Sequence, residues 1–171
     1  MELGTWVGRA IGKAYWVLFG WWYDAPRARR AEQQFAGEIL EGLPFLFGQY
    51  RAEIIPNEGI RFPSPFGYAF VTVAVGHLLL RFVRGRGEFR VLVASRGKVR
   101  DWRDWKDIQV VQAVLDESDE RSAHVWIRNV AGASRLLQGE LPRLLAATSA
   151  DNWDLVRRKA NASFPPLVRI K

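Results

Sequence analysis

Between residues 67 and 95, apolar side chains recur at every second position, and two short glycine-containing breaks divide the stretch. A pleated strand puts alternate side chains on one face, so this period of two specifies strands joined by tight turns. A turn at Gly76-His77 pairs Val75 with Leu78, Val73 with Leu80 and Val71 with Phe82. A second turn at Gly85-Arg86 would pair Val83 with Glu88, Phe82 with Phe89, Leu80 with Val91 and Leu78 with Val93. Together the two registers place Val71, Val73, Val75, Leu78, Leu80, Phe82, Phe89, Val91 and Val93 on one side. A slip of one residue would scatter that set across both faces. The other face is mixed (Phe70, Thr72, Leu79, Arg81, Val83, Glu88, Arg90 and Leu92), and this register sets Arg81 opposite Arg90.

A chain of 171 residues, 49% of them hydrophobic, can bury a substantial core in one domain plus an appendage. It has no cysteine, which excludes disulfides, thiolate metal sites and cysteine nucleophiles. The net charge of +7 favours anionic partners: nucleic acid, an acidic protein or an anionic membrane surface. No signal-peptide pattern opens the chain, and a cytoplasmic, optionally membrane-peripheral protein is expected. The most apolar run, Ala14 to Tyr23, would span about 15 Å as a helix, half of a bilayer core.

Residues 2–23 have helical periodicity, with Leu3, Val7, Ala10, Ile11, Ala14, Leu18 and Trp21 on one stripe. Asp24-Ala25-Pro26 is expected to break this helix, giving a boundary between an aromatic-rich segment, 1–26, and an α+β domain, 27–171. Within the segment, Trp6, Trp16, Phe19, Trp21 and Trp22 suit a partner groove or a membrane interface. A helix then runs from about Arg27 to Phe47, with Phe35, Ile39, Leu40 and Leu43 on its apolar face. Strand character at 49–55 precedes a Pro-rich connection and the three-stranded stretch. Asp104 is placed to cap a helix over 105–115. Residues 116–122 form an acidic loop, and His124 to Arg128 opens either a short strand or a helix. Pro142 suits the first turn of a helix through Ala147, and a last helix follows Ser149 or Asp151.

No catalytic motif emerges. The two histidines, His77 and His124, have no partner at ligand or triad spacing, and Ser134 lacks the glycine pattern of a nucleophile elbow. Asp101, Asp104 and Asp107 recur every three residues, which capping explains more simply than a metal. No metal or cofactor is therefore expected. The stronger signal is basic. Nine cations lie between Arg81 and Lys106 against three acids, and Arg81, Arg84, Arg86, Arg90, Lys98, Arg100 and Arg103 form a candidate anion- or nucleic-acid-binding set. Trp102 and Trp105 flank it as stacking platforms. The competing reading is that the chain's own carboxylates cover these cations.

The fold class expected is α+β: an antiparallel meander of three to five strands with flanking helices packed on it. This architecture resembles small bacterial immunity-type and accessory proteins, a likeness of layout alone. The function expected is a non-enzymatic protein–protein interaction module with a protein partner or self-association. The alternatives are a basic nucleic-acid-binding protein and a membrane-peripheral protein attached through residues 2–23.

Overall fold

The computed structural model describes residues 21–56, 69–85, 87–100, 102–117 and 127–163. Helices α1 (Trp21–Gly42) and α2 (Pro44–Gln49) precede strands β1 (Glu53–Ile55), β2 (Ala69–Val75), β3 (Leu78–Gly85) and β4 (Glu88–Ser95). A 3₁₀ turn (Trp102–Asp104), strand β5 (Lys106–Asp107) and helices α3 (Ile108–Leu115), α4 (Val130–Ala147) and α5 (Trp153–Ser163) complete the chain. The strands form one antiparallel sheet in the order β1-β2-β3-β4-β5, a meander of five strands with helices packed on it. The fold class is α+β, as the alternation implied.

The first hairpin has the expected register, with Val73 opposite Leu80 and Val71 opposite Phe82. The second differs by two residues. Phe82 faces Val91, Leu80 faces Val93, and Gly85 faces Glu88. Two glycines stand two apart here, and it is Gly87, with φ +78°, that takes the left-handed conformation of the turn. A slip of two keeps every side chain on its face, so the apolar set survives intact: all nine of its members are buried. The slip does separate the two arginines. Arg81 lies opposite Thr72 and Leu92, while Arg90 lies opposite Val83, so the expected Arg81–Arg90 juxtaposition is corrected.

Helix α1 lays Phe35 and Ile39 on the apolar face of the sheet, and Leu43, just past its end, continues the four-residue spacing and is also buried. Phe35 meets Phe89 edge-on at 6.1 Å. Leu40, expected on that stripe, is turned away and exposed. Helix α4 buries Val130, Ala133, Leu137, Leu141, Leu144 and Ala147, and the imidazole Nε2 of His77 in the first hairpin turn lies 2.6 Å from its Leu145 carbonyl oxygen. The two helices approach closely at one point, where a Cβ on Gly42 would overlap Val130 Cγ1.

Three expectations change at the helix ends. Helix α1 continues through Pro26, and α4 continues through Pro142. A proline removes one backbone bond, but packed turns on its C-terminal side hold the helix together, as Leu144 and Ala147 do beyond Pro142. Asp107 rather than Asp104 caps α3, its Oδ1 accepting from Gln109 N–H at 3.1 Å. The segment 2–20 and most of the acidic loop, with His124, lie outside the described residues.

Candidate functional site

The meander fixes where the cations of the basic stretch go. Arg84 falls on the apolar face beside Phe89, next to α1. Its guanidinium stacks over the Phe35 ring at 4.3 Å and forks onto both carboxylate oxygens of Glu38. That bidentate pairing draws the Glu38 carboxyl below its ordinary range and raises the Arg84 pKa. Arg90 donates through Nε and Nη2 to Asp107 Oδ2 at 3.2 and 3.1 Å. Lys98 Nζ donates to Asp154 Oδ2 at 3.0 Å, lowering that carboxyl's pKa. Arg157 reaches Asp104 at 2.5 Å and Asp154 at 3.5 Å, and Asp104 also accepts from the Arg100 backbone N–H at 2.8 Å.

Three members of the candidate anion-binding set, Arg84, Arg90 and Lys98, are thus engaged by acids of this chain. Arg100 and Arg103 are exposed on the connection to β5. Arg86 lies outside the described residues, as do Asp101, Trp6, Trp16 and Phe19. Trp21 and Trp22 open helix α1. Among the described residues, no group of three His, Asp or Glu side chains could hold a metal ion. No described helix is long and apolar enough to cross a membrane.

Arg81 differs from its neighbours. It is 6% exposed at the centre of the mixed sheet face. Its Nε donates to Thr72 Oγ1 at 3.1 Å, and its guanidinium carbon stands 4.0 Å from the centroid of the Trp105 ring. No carboxylate among the described residues pairs with it. Burial pulls its pKa down to about 10.

A second feature lies at the sheet edge, where none of the sequence signals pointed. A cleft of about 270 Å³ opens between α1 and β1. Ala36, Ile54, Ile55, Pro56, Phe70 and Val71 give it an apolar lining, and Arg29, Glu32 and Gln33 form a polar rim on α1. Partial burial raises the Glu32 carboxyl pKa, against the opposing pull of Arg29. β1 is an outer strand of three residues, and among the described residues no strand lies on its other side. Ile54 projects 39% exposed at this edge. The signal available in the sequence was only Glu-Ile-Ile-Pro, a short apolar pair stopped by proline, and it does not distinguish an edge from an interior strand.

Compared with protein-family models, curated proteins and solved structures, the chain has no significant match in any of the three.

Proposed function

We propose that this chain is a non-enzymatic protein-interaction module that binds an extended segment of a partner protein along β1. The observation that carries this reading is the edge of β1, unpaired among the described residues, beside the α1 cleft. An edge strand offers unpaired backbone donors and acceptors to an added strand, and a flanking pocket selects alternate side chains of that strand. The apolar lining would receive one aliphatic or aromatic side chain, and the Arg29 and Glu32 rim would meet polar groups beside it. A three-residue strand gives any added strand only a short pairing, so the side chain seated in the flanking cleft would supply much of the affinity. The nucleic-acid alternative has less support, because Arg84, Arg90 and Lys98 are already paired.

Displayed libraries of extended peptides selected on the wild-type protein test this reading. Peptides so obtained should bind Ile54→Asp at least roughly tenfold more weakly, a loss of about 1.4 kcal/mol. Their amide chemical-shift changes should cluster at 53–56 and 29–36. Equal binding to both proteins, or shifts clustered elsewhere, would remove the proposal.

A further inference from the structure

The mixed face of the sheet holds a second site; Thr72, which bonds Arg81 there, also lines the β1 cleft. Buried charges in folded proteins are ordinarily paired, because an isolated ion loses its hydration with nothing in return. Even the half-exposed Arg84, Arg90, Lys98 and Arg157 have carboxylate partners here. Arg81 is more deeply buried than any of them and has none among the described residues. One donor is used on Thr72 Oγ1 and one face of the guanidinium on Trp105. The Nη1 and Nη2 edge has no acceptor among the described residues. The indole Nε1–H of the same Trp105 is buried and has no acceptor among the described residues. One stacked pair therefore combines an enclosed donor without an acceptor, Trp105 Nε1, with a guanidinium edge that is not fully enclosed and has no acceptor among the described residues, so an acceptor arriving from outside could meet both.

We propose that Arg81 and Trp105 bind the carboxylate of a ligand with a short apolar body. The chemistry follows from the surroundings. A guanidinium held flat against an indole presents its free edge as a planar fork, the geometry that matches two carboxylate oxygens. The charge to be neutralised is single. A phosphate dianion would need a second cation, and Arg90, on the same face, is already held by Asp107. Leu79 and Val83 flank Arg81 on its own strand, with Leu92 across from it on β4 and Thr72 on β2, so most of the strand neighbours of the fork are apolar. The guanidinium's lowered pKa accords with a charge kept in place without a counter-ion.

Titration with sodium hexanoate tests the proposal, with hexan-1-ol and inorganic phosphate as controls. Hexanoate should shift the Arg81 Nε–H and Trp105 Nε1–H resonances and raise the melting temperature with concentration, as a ligand of the native state does. Hexanol and phosphate should do neither. Arg81→Met keeps the volume and removes the charge. Its hexanoate affinity should fall roughly ten- to a hundredfold, the worth of hydrogen bonds to a charged group. Its ligand-free melting temperature should be unchanged or higher, because a buried charge without a counter-ion has been removed. Should Arg81→Met fail to fold, Arg81→Lys decides, since it keeps the charge but not the fork and should bind hexanoate more weakly. The proposal is overturned if hexanoate leaves both resonances unmoved, if hexanol or phosphate binds as well, or if the variant retains wild-type affinity.

Discussion

The two faces of this sheet are built from the same strands and both bury side chains, yet in different ways. One carries Val73, Leu80, Phe82 and Val93 and is closed by Phe35 and Ile39 of α1. Its cation on β3, Arg84, sits at the end of the row and is matched by Glu38. The opposite face buries Ala74, Leu79 and Ala94 but sets Thr72 and Arg81 in the middle. There a charge is held by a hydroxyl and an aromatic ring rather than by an acid. The first face is a hydrophobic layer whose stability follows its area. The second combines burial with an electrostatic demand that its described contacts meet only in part. A face can therefore be solvent-poor without being a core in the usual sense, and the distinction lies in what its polar atoms bond to.

Paired truncations test this difference most severely. Leu80→Ala should destabilise the protein by about 2–5 kcal/mol in chemical denaturation, because the site is fully enclosed and leaves a cavity. Leu79→Ala, one residue along and on the other face, should cost distinctly less. Equal losses would make the second face a core of the same kind and break the contrast. Next in size is Thr72→Val, which removes the acceptor from Arg81 Nε and should cost about 1–3 kcal/mol, the penalty of an orphaned buried donor. A neutral result would mean that solvent already satisfies the guanidinium.

Asp107→Ala should cost about 1 kcal/mol through loss of the α3 cap, with the Arg90 pair adding little at its exposed position. The smallest effect belongs to Glu38→Gln, about 0.2–1 kcal/mol at neutral pH for a half-exposed pair. Its pH dependence has a definite sign. The Glu38 carboxyl titrates lower in the folded protein than its ordinary 4.5, so its contribution is complete above that pH and is lost as pH falls through the folded value. Wild type and Glu38→Gln should therefore converge in stability on acidification. A constant difference from pH 7 to pH 3 would show that the pair does not act through charge.

The sequence made the apolar face legible because alternation is a local property, recoverable from Val71 to Val93 without any tertiary knowledge. The second register was not legible for the same reason. Arg84-Gly85-Arg86-Gly87 accommodates the turn at either glycine, and a two-residue slip leaves the hydrophobic pattern unchanged. The partners of the cations were out of reach because they come from far along the chain: Glu38 lies 46 positions from Arg84, and Asp154 lies 56 from Lys98. Helix α4 continues through Pro142 because packing rather than residue propensity sets its extent. The β1 cleft is assembled by α1, β1 and β2 at once and has no single stretch of sequence that announces it.

The strand order also decides where chain entropy is spent. β2, β3 and β4 close on their sequence neighbours through loops of two residues, so pairing them constrains little chain. The helical layer is joined across much longer distances, as in the contact of His77 with Leu145, 68 positions away. Most of the conformational freedom surrendered on folding to long-range closure is therefore surrendered where helices meet the sheet. Shortening or stiffening the connections to α1 and α4, rather than reinforcing strand pairs, is the direction in which this chain has the most stability to gain.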